Sequence, residues 1–254
     1  MAKFSVSSGK VNNVEWMNGI VQRLNVKLNV RVFLDNGVLI DTGCASMQRQ
    51  FTEWMNDKEI NTVFLTHSHE DHVGACKWLQ EVKHTPIYLH ENSLLSVSQK
   101  ASYPYYRKVF WGVREPFSAQ PMFDEIQVNN SKWLSIHMSG HSSDHYSFFN
   151  QSSGNLYSGD LFVHPTTKVI LKEESIPQII QSLNKLLSID FENLFCQHAG
   201  FVPNGKEKLN KKLQNLLTIQ GEVLLLNEKG YSEKEIVKKL YPKNYPISYF
   251  SFGE

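Results

Sequence analysis

The stretch Val63-Phe64-Leu65-Thr66-His67-Ser68-His69-Glu70-Asp71-His72 decides the reading of this chain. An apolar run of strand type gives way, between His67 and His72, to three imidazoles and two acids, a density that chance rarely produces. If the extended backbone continues past Leu65, His67 and His69 project to the same side and can share one cation. A following turn then sends Asp71 and His72 towards a second. Neutral imidazole with carboxylate suits zinc, or iron or manganese where oxygen donors weigh more.

One loop cannot complete two such sites, so more His and Asp are expected at distant strand ends. Gly140-His141-Ser142 follows the strand-type run 133–137, Gly159-Asp160 follows 155–158, and His198 follows 193–197. Each stands where a strand gives way to a loop, so all can converge on one edge of a sheet. Further strands are expected at 62–66, 87–90 and 147–149. Val26, Leu28, Val30 and Val32 alternate with polar residues, and Asp35-Asn36-Gly37 then precedes Val38-Leu39-Ile40, the pattern of a hairpin turn.

Composition sets the frame around these motifs. With 254 residues, 41% hydrophobic and 20% charged, the chain can bury a substantial core and is neither a disordered nor a collagen-like sequence. Its 26 basic and 25 acidic side chains leave no global field to recruit nucleic acid or an anionic membrane. Neither a signal-peptide core nor a run of roughly 20 apolar residues is present, so a cytoplasmic location without membrane association is expected. Cys44, Cys76 and Cys196 are scattered and odd in number, which reads as buried reduced thiols rather than a disulfide framework.

Helical signals are interleaved with the strands. Ile176, Ile179, Ile180, Leu183, Leu186 and Leu187 recur at three-and-four spacing behind Ser175 as a cap, with Pro177 in the first turn. After residue 200 the pattern is helical throughout: Leu209, Leu213, Leu216 and Leu217 form a stripe, and Ser232 with Glu235 makes a capping box before Ile236. This tail carries a net charge of +3 against −2 for residues 1–200. The reading divides the chain into a domain over 1–200 and a helical C-terminal extension over 201–254, packed on it or appended to it. Residues 98–125 hold seven aromatic residues and three prolines with no sustained period. Such a segment packs over a site, against a partner, or on its own core.

In order along the chain, Asp41-Thr42-Gly43, the His-x-His-x-Asp-His loop, Gly140-His141-Ser142, Gly159-Asp160 and His198 resemble the pattern of the metallo-β-lactamase superfamily of binuclear metallohydrolases, over residues 10–200. The resemblance implies an α/β fold, a four-layer αββα sandwich with the metal pair at one edge. It also implies that His67, His69 and His141 hold one ion, that Asp71, His72 and His198 hold the other, and that Asp160 bridges them. An aspartate at position 160, where the best-known zinc β-lactamases carry cysteine, points to the glyoxalase II, lactonase and ribonuclease Z side of the family. The helical tail is also similar to that of lactamase β-like protein 2.

The activity expected is hydrolysis of a small ester, thioester or lactone. Two divalent ions, zinc by first choice, would lower the pKa of a shared water from about 15.7 towards 7 and polarise the substrate oxygen. Asp71 and Asp160 are the expected catalytic carboxylates, Asp71 orienting the nucleophile and passing a proton to the leaving group. A phosphodiester, RNA included, is the alternative substrate for the same metals, and a non-catalytic metal- or ligand-sensing module is the reading from a different class. A homodimer is left open. Asp41 is expected behind a ligand imidazole rather than on a metal. His145 and His164 are candidates for a supporting role, whereas His84, His90 and His137 read as structural.

Overall fold

The computed structural model describes residues 2–23 and 25–241, and among them the chain forms two sheets with helices on both outer faces. The first sheet runs in chain order: β1 (Lys3–Val11), β2 (Val14–Arg23), β3 (Val26–Asp35), β4 (Val38–Ile40), β5 (Thr62–Phe64), β6 (Ile87–Leu89) and β7 (Gln120–Pro121). Strands β1 to β4 pair antiparallel, and β4 to β7 pair parallel through crossovers that contain α1 (Gln48–Asn56), α2 (Cys76–Trp78), α3 (Leu94–Val97) and α4 (Tyr105–Trp111). The β3–β4 turn is the one the Asn-Gly pair announces, with φ of 48° at Asn36 and 82° at Gly37.

The second sheet is built from β8 (Glu125–Val128), β9 (Ser131–His137), β10 (Tyr146–Asn150), β11 (Asn155–Tyr157), β12 (Asn193–Cys196) and β13 (Gly200–Val202), in the spatial order β13-β12-β11-β10-β9-β8. Only β11 and β12 pair parallel, and α5 (Ile176–Leu187) lies in the crossover between them. Two more helices follow, α6 (Gly205–Glu228) and α7 (Glu233–Leu240), the latter opened by the expected Ser232–Glu235 capping box.

Three apolar clusters separate four layers. Between the sheets, Phe33, Phe64, Trp133, Phe148, Tyr157 and Phe195 interlock, with ring centroids 5.1–5.9 Å apart between successive neighbours. A second cluster lies under α1 and α2, where Phe51, Met55 and Leu79 pack on the outer face of the first sheet. The third lies under α5 and α6, where Leu183, Leu186, Leu209 and Leu213 cover the second sheet. The αββα expectation therefore holds. The three cysteines are free and buried, and no helix among the described residues is long and apolar enough to cross a membrane.

Some elements carry no signal that alternation or period can expose. Strand β1 is solvent-exposed along almost its whole length, so it has no buried face to mark with apolar residues. Within 98–125, α4 is a two-turn helix, too short to show a period, and Phe110, Trp111 and Phe117 are buried in the core beneath it. Three of the four residues of the expected tail stripe, Leu209, Leu213 and Leu216, are buried, but Leu217 is 39% exposed. The part of the expected helical tail over 242–254 lies outside the described residues.

This layering puts every motif at one edge. In the parallel half of the first sheet, the carboxyl ends of β4 and β5 lead into Asp41 and into Thr66–His72. In the second sheet, the end of β9, the start of β10 and the ends of β11 and β12 fall on the same side because of their alternating directions. The sheets are tied there by the Tyr146 amide donating to the Thr66 carbonyl (2.7 Å). Phe64 is fully buried and touches Trp133 and Phe148 just before the histidine loop begins. Phe64→Ala should cost about 3–5 kcal/mol in urea unfolding, and a loss under 1 kcal/mol would mean that this inter-sheet cluster does not carry the fold.

Candidate metal centre

The structure brings all seven candidate side chains together. His67, His69 and His141 form one group with ligand atoms within 4.8 Å of one another; His67, His72 and Asp160 form a second, and Asp71, His72 and His198 a third. Asp160 stands in the middle: its Oδ2 is 3.0 Å from His198 Nε2, 3.5 Å from His141 Nε2 and 3.6 Å from His72 Nε2. Asp71 lies on the His198 side, with Oδ2 3.5 Å from Nε2.

Each imidazole is aimed by what holds its other nitrogen. The Nδ1–H of His72 donates to Asp41 (2.8 Å) and that of His67 to the Thr66 hydroxyl (3.0 Å), which itself donates to Asp41 (2.8 Å). His141 Nδ1 donates to Glu174 Oε1 (2.8 Å), and His198 Nδ1 to the Asn29 carbonyl (2.6 Å). All four therefore present Nε2 inward, where it meets other nitrogens and carboxylates rather than a protein donor. His67 Nε2 and His141 Nε2 converge on His69 Nδ1 at 2.8 and 3.2 Å. Among the described residues, the buried atoms His72 Nε2 and Asp160 Oδ1 have no hydrogen-bond partner. Converging ring nitrogens and carboxylate oxygens, with buried polar atoms among them left unpartnered, are what a cation satisfies, so the donor set fits a metal.

The electrostatics divide the cluster in two. Burial, with His72 and other imidazoles adding to it, holds His67 well below the usual histidine range, and burial followed by His141 does the same to His69. Both are neutral, the form that ligates. Around Asp71 and Asp160 the balance reverses. Burial opposes the charged form of His198, but Asp160 and then Asp71 outweigh it and raise the imidazole to about 10; His72 is likewise raised well above its ordinary value by Asp160, Asp71 and Asp41. Asp160, despite burial, is held ionised by His198 and His72. The carboxylates thus hold positive charge where a metal would sit.

Asp41 is buried behind the cluster, as the sequence led one to expect. It adopts φ of 58°, a left-handed conformation uncommon outside glycine, and its carboxylate accepts from the Thr66 amide (2.7 Å), the Thr66 hydroxyl and His72. His145 takes a supporting role: its Nε2 accepts from the Asp160 amide at 3.0 Å, and burial pushes it down to about 3, which keeps it neutral. Gly159 is required beside it, since a Cβ at φ of 53° would stand 2.3 Å from that nitrogen. His90 accepts from the Asn92 amide and His137 donates to the Ser143 carbonyl, both structural as expected. His164 is exposed and lines the cavity described below.

Two carboxylates that matter have no signature in the sequence. Glu174, which holds His141, comes from an irregular segment 33 residues downstream of it. Asp144 accepts from the Ser68 amide (2.9 Å), the Ser93 hydroxyl (2.7 Å) and the Ser142 hydroxyl (2.7 Å), joining the histidine loop to the His141 loop. The sole clue to Asp144 is its place three residues after His141, which many surface acids share.

A cavity of about 520 Å³ opens over the cluster. His69, Asp71, His141, Asp160 and His198 form its floor, while Phe110 and Trp111 from the aromatic segment, with Ile176, Ile179 and Leu216 from α5 and α6, give it apolar walls. Arg107 of α4 also lines it and pairs with Glu70 of the histidine loop (3.3 Å) and with Glu173. The segment 98–125 therefore both packs into the core and walls the site.

The family model described as the metallo-beta-lactamase superfamily matches residues 35–198, and the chain belongs to that superfamily. It is 31% identical over 166 residues to a hydroxyacylglutathione hydrolase of Idiomarina loihiensis, a match covering 65% of this chain and 56% of that one. It is 22% identical to a beta-lactamase-like protein 2 homolog of Caenorhabditis elegans, covering 80% of this chain and 66% of the relative. The chain thus spans between about half and two thirds of these relatives. Among solved structures, a metallo-beta-lactamase from Pontibacter korlensis superposes with a TM-score of 0.67 at 13% identity, over 84% of this chain and 99% of that one. At that identity the likeness shows the fold.

Asp144 provides a test of how the two loops are held. Burial opposes its ionisation, but the donors Ser93, Ser142 and Ser68 outweigh burial and lower its pKa from 3.8 to about 2. A carboxylate depressed in the folded state contributes stability above its unfolded pKa and loses it as pH falls through the folded value. Asp144→Asn should therefore cost about 2 kcal/mol above pH 5. The gap to the unsubstituted chain should close between about pH 4 and pH 2 in urea unfolding. A gap independent of pH would show that the carboxylate charge is not what joins the loops.

Proposed function

We propose that this chain is a metal-dependent hydrolase of a small ester, thioester or lactone, working with two divalent ions, zinc the first choice and iron or manganese the alternatives. The observation that carries the reading is the position of Asp160, whose Oδ2 lies within 3.0–3.6 Å of His72, His141 and His198. One carboxylate oxygen between two imidazole groups suits a bridge between two ions. In this reading His67, His69 and His141 hold one ion, Asp71, His72 and His198 the other, and Asp160 both. The ions would supply Lewis acidity, polarising the substrate carbonyl and making a water acidic enough to attack near neutral pH.

The chain's own groups do the rest. Asp71 lines the cavity beside His198, where its carboxylate would orient the attacking water and pass a proton to the departing thiolate or alkoxide. Asp41, Thr66, Glu174 and the Asn29 carbonyl hold Nδ1 of His72, His67, His141 and His198, so these four rings turn Nε2 towards the cluster. The apolar walls of Phe110, Trp111, Ile176, Ile179 and Leu216 suit an acyl group, and on that ground this substrate class is preferred to a phosphodiester, whose charge Lys27, Arg107 and Lys168 of the same lining could meet. A relative named for hydroxyacylglutathione, which is a thioester, supports the same choice.

Elemental analysis of the purified chain should find close to two transition-metal ions per molecule, and one member of an ester, thioester and lactone panel should turn over. Asp160→Asn should lower kcat/KM by about a hundredfold or more, the scale of removing a group that stabilises the transition state. Full metal content with no turnover on any panel, phosphodiesters included, would instead favour the sensing module.

A further inference from the structure

Residues 163–175 run from the end of the Asp160 turn to the start of α5 without helix or strand, yet they form much of the cavity wall through Val163, Thr166, Lys168, Val169 and Leu171. An irregular segment over a cavity needs specific tethers, and these can be followed one by one. At its first half, the Thr167 amide donates to Asn215 Oδ1 of α6 (2.7 Å). At its second half, two adjacent carboxylates reach in different directions. Glu173 pairs with Arg107 of α4. Glu174 accepts from His141 Nδ1 through Oε1 and from the Leu171 amide through Oε2, both at 2.8 Å, so it closes the segment's last turn on a metal-centre imidazole.

From this arrangement we infer that Glu174 is a positioning residue that links metal occupancy to the seating of the 163–175 wall. The inference rests on the metal reading above. His141 can serve a metal through Nε2 only as the tautomer with its proton on Nδ1, and the group that receives that proton's hydrogen bond is Glu174. On its other side the ring's Nε2 lies 3.2 Å from His69 Nδ1 and 3.5 Å from Asp160 Oδ2, less directed contacts than the ligand bond an ion would make there, so an ion would hold the ring more firmly against Glu174. Fixing the ring fixes the carboxylate, which fixes the Leu171 amide and the wall before it. Linkage is reciprocal: a wall pressed down by substrate strengthens the same hydrogen bond and holds the metal more tightly. The wall that selects the acyl group is thereby assembled on the loaded site.

Hydrogen exchange by mass spectrometry on the full chain, with and without zinc, and zinc affinity by chelator competition, test this together. In the unsubstituted chain, zinc should slow exchange of the 165–175 peptide by about fivefold or more, an ordinary coupling strength. Glu174→Ala should weaken zinc binding by about 10–100-fold and remove the zinc-dependent protection of that peptide. Glu174→Gln, which keeps the shape and one accepting oxygen, should lose less of both and decides the matter if the alanine variant does not fold. Glu173→Gln, which breaks only the Arg107 pair, should raise exchange of the wall in both states yet leave zinc affinity in place. Unchanged zinc affinity in Glu174→Ala and Glu174→Gln, or zinc protection of the wall that survives both, would overturn the inference. A chain that takes up no zinc, cobalt or manganese would instead overturn the metal reading, and this one with it.

Discussion

The centre depends on a constraint that is easily stated: five imidazoles and two carboxylates must face one another across a few ångströms, and a ring that turns one nitrogen to the cluster must be oriented through the other. For four of the imidazoles the restraints lie behind the cluster, on Nδ1. Asp41 is the chief of these restraints, because its one carboxylate holds Thr66 through both amide and hydroxyl, His72 directly, and His67 through the Thr66 hydroxyl. It does so from a left-handed backbone position at the end of β4, a conformation that costs about 1 kcal/mol or more for a residue with a Cβ. Burial would favour a protonated carboxyl there, and His72 is the first of the neighbours that oppose this.

The same logic explains why both sheets are needed. Strand β5 delivers the histidine loop, but the partners that aim the ligands come from elsewhere: Asp41 from β4, Asn29 from β3, His145 from the start of β10, and Glu174 from the approach to α5. Asp144 then fastens the loop of one sheet to the loop of the other through three donors. The inter-sheet aromatic cluster is what makes such reach possible. It sets the two edges at a fixed separation, and side chains of ordinary length can then span it.

How much of this the sequence reveals follows from how far each interaction reaches along the chain. The histidine loop is legible because its donors are two to five residues apart, and His141, Asp160 and His198 because each follows a strand whose alternation or apolar run is plain. Asp41 is legible through Asp41-Thr42-Gly43. Glu174 and Asp144 are not, since each is a single acid in a loop and its partner is chosen by folding. Strand β1 and helix α4 escape for the opposite reason: one buries almost nothing, and the other, at two turns, is too short for its period to repeat visibly.

The helices after residue 200 lie beyond the span that the family model matches, yet α6 reaches the cavity. Lys212 shows what that contact entails. Its ammonium is buried, donates to the Phe162 carbonyl (2.7 Å) two residues past Asp160, and has its pKa lowered by burial. One helical turn on, Leu216 presents an apolar surface to the same cavity, and Asn215 tethers the wall segment. A helix that merely extended the fold would have no reason to bury a lysine, because removing an ammonium from water is costly unless the charge has a use. Here it steadies the carbonyl at the exit of the Asp160 turn, so α6 supports the histidine–aspartate cluster from one side and shapes the cavity wall from the other. The helices beyond the family-matched span are in this way joined to the edge where the histidines and aspartates gather, and changes in them can reshape the cavity without touching that cluster.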